Sequence, residues 1–245
     1  MNFLTGTTKK LCFILGVLSF CLFITTAAKV QLTEAAGRDL ESAFQGAEQS
    51  QDGFLEDFDR GMADNWIDDE SGVWSITDKV YRMTGTGTGA LRASCYNATF
   101  GDFAYQVDVR RMQGNLDASQ GLLFRLNTNG DFYVFALASS GYYSAYKFDS
   151  RNGTEVIPWT TSSAIKQGAG VWNTMKVVCK GPAIDFYING TLLKTVRDNN
   201  PYLTGMVGLV AVDEKRSDQG NPIVDFDNAR LSISGRLSPP DSPVN

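Results

Sequence analysis

Charged and amide side chains recur at alternate positions in two stretches that are otherwise rich in apolar residues. Asp108 and Arg110 lie two residues apart in the first stretch, and Arg125 and Asn127 lie two apart in the second. Residues two apart on a strand point to the same face of a sheet, so we predict both pairs on an outward polar face. Carboxylates, guanidinium groups and amides bind the hydroxyl groups of sugars. An ordinary solvated sheet face is the alternative interpretation.

Two aromatic residues and a lysine extend this set. Residues 131–148 predict a β-hairpin that turns at Ser140-Gly141, and such a turn would place Tyr143 and Lys147 on the same outward side. Trp159 follows a proline near a loop and could stack under the apolar face of a sugar. The predicted ligand-binding residues are therefore Asp108, Arg110, Arg125, Asn127, Tyr143, Lys147 and Trp159.

Catalysis by this chain would have to depend on carboxylates. The sequence contains no histidine, which removes the commonest general base, the serine triad and most zinc sites. Its glutamates beyond residue 53 are few and lie near strand ends or in loops, at Glu56, Glu70, Glu155 and Glu214. Catalysis by aspartate and glutamate alone stays open.

The formal net charge of −5 disfavours nucleic acid and anionic membranes as partners, because both reward clustered lysine and arginine. Two cysteines, Cys95 and Cys179, lie beyond the N-terminal region. In an exported protein they could form a disulfide, and the alternative is that each is a small buried hydrophobe.

The N-terminal region has the composition of a secretory signal peptide. Lys9-Lys10 precedes a fourteen-residue apolar run over residues 11–24, which is followed by small residues up to Ala28. The run is short for a membrane-spanning helix, although retention as an anchor is the alternative. We predict a signal peptide over residues 1–28, a polar tether over 29–53, a folded domain over 54–234 and a Pro-rich tail over 235–245. The predicted location is extracytoplasmic, either secreted or periplasmic.

Short apolar and alternating segments cover the predicted domain from end to end, with glycine, proline and asparagine between them. We count roughly thirteen strands and no helix of ordinary length. Two strands, near residues 132–137 and 205–212, are apolar on both faces and should lie in the middle of a sheet. This pattern favours two stacked sheets, an all-β sandwich, over a closed barrel.

A series of aromatic and glycine motifs follows the predicted strands in order. With these motifs the chain resembles the concanavalin A-like lectin and glucanase superfamily over residues 54–234. It is most similar to the laminin-G-like and 3-keto-disaccharide-hydrolase-type jelly-roll domains of exported bacterial proteins. The motifs are Asp57-Phe58, Trp74-Ser75-Ile76, Tyr81-Arg82, Phe132-Tyr133-Val134-Phe135, Gly141-Tyr142-Tyr143, Trp172-Asn173, Phe186-Tyr187-Ile188-Asn189-Gly190, Gly205-Met206-Val207-Gly208-Leu209 and Phe226-Asp227-Asn228.

The resemblance implies a jelly-roll fold and three functions. A non-catalytic, lectin-like module would bind a polysaccharide or glycan on the concave face of one sheet, and this is the function we expect. An adhesion domain would bind a protein partner, such as a cell-surface protein. A glycoside hydrolase-like enzyme would use Asp and Glu, but the Glu-x-Asp-x-x-Glu strand of glycosidases with this fold is missing from the sequence.

The resemblance also implies a structural calcium ion between the first and last strands. Asp57 and Asp59 at the start of the domain, and Asp225 and Asp227 at its end, could supply oxygen ligands. Each pair is spaced to face one side of a strand. The alternatives are solvated acidic residues and a turn capped by Asp227 and Asn228.

Overall fold

The computed structural model describes residues 53–69, 71–149, 152–215 and 220–233. The predicted signal peptide, nearly all of the tether and the tail lie outside these ranges and stay predictions. Within the same ranges, no helix has the length and apolar character needed to cross a membrane.

Fifteen strands follow one another along the described chain. The sequence predicted roughly thirteen. Their bounds are β1 Phe54–Glu56, β2 Trp66–Asp68, β3 Trp74–Thr77, β4 Val80–Thr84, β5 Ala90–Tyr96, β6 Phe103–Gln113, β7 Ser119–Leu126, β8 Phe132–Ala138, β9 Tyr142–Asp149, β10 Asn152–Thr161, β11 Asn173–Lys180, β12 Ala183–Ile188, β13 Thr191–Arg197, β14 Met206–Asp213 and β15 Ile223–Ser232.

The strands form two antiparallel sheets. The first sheet has the order β13-β12-β11-β6-β15-β4-β3, and β1 also pairs with β15. The second sheet has the order β10-β9-β8-β7-β14-β5-β2. This arrangement confirms the predicted two-sheet jelly-roll sandwich. Strands β8 and β14, which are apolar on both faces, are interior strands of the second sheet, as their composition predicted.

The Asn189-Gly190 turn shows how local sequence fixes the strand register. Asn189 has φ 50° and Gly190 has φ 80°, the left-handed pair that a type I′ turn requires. This turn matches the right-handed twist of the strands, so β12 and β13 pair directly on either side of it. The Asn-Gly dipeptide is the sequence signal of such a hairpin, and the structure has the hairpin at this position.

Aromatic rings from both sheets fill the space between them. The ring of Phe135 on β8 lies 5.1 Å from that of Phe186 on β12, and both side chains are fully buried. Towards β3 and β4, the ring of Trp74 lies 5.1 Å from Tyr81 and 5.8 Å from Phe226. Such edge-on and tilted contacts add about 0.5–1.5 kcal/mol per pair to the free energy gained from area burial.

Asp213, at the end of β14, fixes the Gly/Thr loop of residues 85–89. Its buried carboxylate accepts hydrogen bonds from Gly87 N at 2.7 Å, Thr88 N at 3.3 Å and Thr88 Oγ1 at 2.7 Å. Burial alone would raise the pKa of Asp213, but these hydrogen bonds and the Arg92 guanidinium outweigh it and hold the pKa below its ordinary value of 3.8. The charged form therefore stabilises the fold.

Of the two interpretations that the sequence left open for Cys95 and Cys179, the disulfide does not form, because both are free thiols. Cys179 faces the core from the first sheet, whereas Cys95 belongs to a separate apolar cluster on the second sheet. Burial raises the pKa of both thiols to about 12, so both stay protonated at neutral pH. The alternative interpretation, two small buried hydrophobes, is the correct one.

The central aromatic contact leads to a first prediction. Phe135→Ala should lower the free energy of unfolding by about 3–5 kcal/mol, because it leaves a cavity beside Phe186 between the sheets. Urea unfolding followed by tryptophan fluorescence measures the loss. Leu192→Ala, at a position half exposed on β13, is the control and should change stability by less than about 0.5 kcal/mol. Equal losses in the two variants would contradict the inter-sheet core.

A second prediction concerns pH. Asp213→Asn should lower the free energy of unfolding at pH 7 by about 1–3 kcal/mol, because an amide cannot accept all the hydrogen bonds of the loop. A carboxyl with a lowered folded-state pKa stabilises the fold above its ordinary pKa and loses that effect as the pH falls. The deficit should therefore shrink below pH 3.8. A deficit of the same size at pH 3 and pH 7 would show that charge is not involved. Asp117→Asn, at an exposed position, is the control.

Candidate functional site

The residues predicted to bind a ligand do not form one site, because the structure distributes them over different faces of the sandwich. Asp108 and Arg110 lie on the outer face of the first sheet, as their alternation predicted. Asp108 accepts hydrogen bonds from Thr174 Oγ1 at 2.5 Å and from Asn228 Nδ2 at 3.0 Å. Arg110 binds Asp225 at 2.9 Å, and its guanidinium carbon lies 4.4 Å from the ring centroid of Trp172.

Arg125 does not lie on an outward face, contrary to the prediction. It has φ 54° and sits in a β-bulge, where Phe124 and Leu126 pair with consecutive residues of β14. The extra residue breaks the alternation, and the guanidinium becomes fully buried. Its Nη1 donates to the carbonyls of Gly181 and Tyr202, both at 2.8 Å, so Arg125 holds two loops in place.

Tyr143 and Lys147 also face inward, so their predicted outward orientation is wrong. Tyr143 pairs with Leu137, and Lys147 pairs with Tyr133, and both partners point into the core. The Lys147 ammonium binds Asp198 Oδ2 at 2.8 Å at the end of the sandwich. The hairpin exists as predicted, but its turn places these positions on the inner side.

Asn127 shapes the turn before β8. Its Oδ1 accepts hydrogen bonds from Asn129 N at 2.9 Å and from Asp131 N at 3.1 Å. Such a side-chain turn is typical of asparagine and gives this residue a structural role. Of the predicted ligand-binding residues, Trp159 alone lies on the outer face of the second sheet, where it packs against an apolar cluster.

The four carboxylates predicted to hold calcium are not gathered around one point. The side chain of Asp225 is fully buried and binds both Arg82, at 2.6 Å, and Arg110, at 2.9 Å. Burial, followed by the charges of Asp108, Asp59 and Asp57, raises the pKa of Asp227. Among the described residues, no group of three or more His, Cys, Asp or Glu side chains is arranged to hold a metal ion. Calcium binding stays a prediction, and Asp225 is the least suited of the four.

Apolar and aromatic side chains meet on the outer face of the second sheet. Its floor consists of buried side chains from β5, β7, β8 and β14 that form a cluster separate from the inter-sheet core. We refer to these residues as the apolar floor, and they are Cys95, Leu123, Leu126, Val134, Ala136, Met206 and Val210. The apolar floor explains why β7, β8 and β14 are apolar on both faces.

Four half-buried aromatic side chains border this floor, and we refer to Phe132, Tyr146, Phe148 and Trp159 as the aromatic patch. The rings of Phe132 and Phe148 stack across β8 and β9 with centroids 4.8 Å apart. The ring of Tyr146 lies 6.1 Å from that of Phe148. Adjacent strands are about 4.8 Å apart, so the pairing of β8, β9 and β10 brings these rings together.

A carboxylate and a phenol supply the polar part of the patch. Tyr146 Oη donates a hydrogen bond to Glu155 Oε1 at 3.4 Å. Glu155 is exposed on β10, directly opposite Tyr146. Burial raises the pKa of Tyr146 to about 12, so its hydroxyl is a donor at neutral pH. Together these groups offer apolar rings, one hydroxyl and one charged acceptor on a single half-exposed surface.

Of this surface, the sequence predicted only Trp159 as a ligand-binding residue. Glu155 was noted only as a loop or strand-end glutamate. The composition of β8 was a signal for this surface. Because β8 is apolar on both faces, its outer face must contribute to an apolar surface on the outside of the sheet. The register across the turn between β8 and β9 decides which aromatic residues occupy the outer face. Composition does not determine this register.

Structural comparison relates the chain to carbohydrate-active proteins of the same fold. It superposes on the carbohydrate-binding module CBM66 from Bacillus subtilis with a TM-score of 0.57 at 17% identity, covering 69% of this chain and 95% of the module. It superposes on the Bacillus licheniformis β-glucanase with a TM-score of 0.61 at 12% identity, covering 75% of this chain and 99% of the enzyme. At these identities the likeness shows the fold.

A third solved structure, the GH43 protein BlXynB from Bacillus licheniformis, matches with a TM-score of 0.57 at 16% identity, covering 73% of this chain and 39% of that protein. No curated protein matches the chain in sequence. A family model does match, over residues 53–232, which is almost the whole described domain. The chain therefore belongs to the family of 3-keto-alpha-glucoside-1,2-lyase-like domains.

Proposed function

We propose that this chain is an exported carbohydrate-binding domain whose ligand lies on the aromatic patch of the second sheet. The observation that carries the proposal is the meeting of four half-buried aromatic side chains with the Tyr146–Glu155 hydrogen bond. Aromatic rings bind the apolar face of a sugar, and a carboxylate accepts hydrogen bonds from its hydroxyls. Family membership and a carbohydrate-binding module among the similar structures support a saccharide as the ligand.

The site that we propose differs from the one that the sequence predicted. The predicted set placed Asp108 and Arg110 in the sugar site, but the structure engages both in hydrogen bonds or ion pairs on the opposite sheet. Trp159 is retained from that set. Phe132, Tyr146, Phe148 and Glu155 join it, because all four lie on the same side of the second sheet or at its edge strand.

Cleavage of a sugar is the second candidate, and the name of the family favours it. The group at the patch that could act as a base is Glu155, an exposed carboxylate in contact with a phenol. Incubation of the chain with a 3-keto-α-glucoside, followed by chromatography of the sugars, tests this activity. Turnover that Glu155→Gln abolishes would make the domain an enzyme. No turnover by the wild-type chain would leave the binding function alone.

The binding proposal predicts a clear difference between two tryptophans. Trp159→Ala should weaken binding to a neutral polysaccharide at least about tenfold, because it removes an aromatic surface from the patch. Trp172→Ala is the matched control, since Trp172 is also half-buried but contacts Arg110 of the first sheet. A screen of immobilised polysaccharides identifies a ligand, and titration calorimetry then measures the affinities of both variants.

Two results would overturn the proposal. The first is a wild-type chain that binds no glycan or polysaccharide in the screen. The second is a Trp159→Ala variant that binds like the wild type while Trp172→Ala loses binding, which would place the site on the first sheet. Far-ultraviolet circular dichroism of both variants checks that each remains folded.

A further inference from the structure

A row of three polar side chains crosses the outer face of the first sheet. Lys176 on β11 and Arg230 on β15 are both register partners of Gln106 on β6, which lies between them. Adjacent strands are about 4.8 Å apart, so the Cα atoms of the two cations are roughly 10 Å apart. All three side chains are half-buried. The two cations therefore lie on either side of Gln106 on one face of the sheet.

A β-bulge brings Arg230 into this row. Asp227 pairs with Asp108 and Arg230 pairs with Gln106. Between these two pairs β15 advances by three residues, whereas β6 advances by two. Asn228 has φ 51° and donates through Nδ2 to Asp108 Oδ2 at 3.0 Å, which holds the extra residue in place. Strict alternation from Asp225 and Asp227 would have turned Arg230 into the core. Bulges often re-aim a side chain at a functional site.

Within the described part of the chain, neither cation of the row forms an ion pair. Among the described residues, no carboxylate oxygen lies within 4.0 Å of Lys176 or Arg230. Two carboxylates of this sheet accept hydrogen bonds from neutral donors, Asp108 from Thr174 and Asp185 from Thr195. Burial, followed by the charge of Arg230, lowers the pKa of Lys176, and the charge of Asp185 offsets this only in part. An anion placed between the two cations would relieve this repulsion.

The amide of Gln106 and the ring of Tyr187 lie next to the two cations. With its Oε1 turned towards Arg230, Gln106 accepts from Nε at 3.2 Å and from Nη2 at 2.6 Å. The amide nitrogen is then directed away from Arg230 as a donor. The Lys176 ammonium lies 4.2 Å from the ring centroid of Tyr187, its register partner on β12, on the side of Lys176 away from Gln106. The polar groups of the row that remain for a ligand are N–H groups of Lys176, Gln106 and Arg230, and all of them are hydrogen-bond donors.

We propose that Lys176, Gln106 and Arg230 bind the carboxylate or sulfate group of an acidic polysaccharide on the outer face of the first sheet. The choice of a saccharide rests on the proposed function, whereas the choice of an anion rests on the row itself. The formal net charge of −5 disfavours nucleic acid as the polyanion. The site is separate from the aromatic patch, which lies on the other sheet.

Affinity electrophoresis of the full chain in gels that contain dextran sulfate, polygalacturonate or neutral dextran tests this site. The two acidic polymers distinguish a sulfate ligand from a carboxylate ligand, and dextran is the uncharged control for dextran sulfate. Wild-type protein should be retarded by at least one acidic polymer and not by dextran. Lys176→Met/Arg230→Met should lose about tenfold in affinity for that polymer. Lys176→Gln alone, which leaves the bulge intact, should lose part of it.

Lys194→Met/Arg197→Met is the matched control, because it removes the same charge from exposed positions on β13. This variant should bind the acidic polymer nearly as tightly as the wild type. An equal loss in both double variants would mean non-specific attraction and overturn the proposal, as would a wild-type chain that no acidic polymer retards. Trp159→Ala should leave binding to the acidic polymer unchanged. The effect of Trp159→Ala on binding to neutral polysaccharides tests the aromatic patch alone. The experiments can therefore disprove one of the two sites without disproving the other.

Discussion

The structure depends on the burial of two antiparallel sheets against each other, which requires every second side chain to be apolar. This constraint sets the direction of each remaining side chain, and only a bulge or a turn can change it. The bulge at Arg125 directs its guanidinium inward at one end of the sandwich. The bulge at Asn228 directs the Arg230 side chain to the surface. A single extra residue therefore decides whether a cation lies inside the fold or on its surface.

The fold could be predicted from the sequence, because alternation and turn residues act locally. The apolar character of β8 and the Asn189-Gly190 dipeptide were sufficient to place an interior strand and a hairpin. The candidate site could not be predicted in the same way, since its residues come together through strand register. Tyr143 and Tyr146 lie three apart on one strand, and the turn at Gly141 decides which of them enters the core. Nothing in the residue types of β9 distinguishes the two orientations.

The two outer faces of the sandwich differ in their chemistry. The second sheet has an outer face of apolar and aromatic side chains, and interactions there depend on dispersion and on the removal of water from rings. The first sheet has an outer face of arginine, lysine, aspartate and amide side chains, where attraction weakens as salt rises. Asp225, held between Arg82 and Arg110, shows that charge on this face is also used to tie strands together. A sandwich of this kind can present two unlike surfaces without any change to its core.

The free thiols of Cys95 and Cys179 determine how the domain can be made. Both are buried and protonated, so neither is available for exchange with glutathione or with a disulfide isomerase. The described domain thus folds without an oxidation step, and its native state is the same on either side of a cell membrane. Cysteine chemistry therefore makes no demand on the redox machinery of the compartment in which the described domain folds.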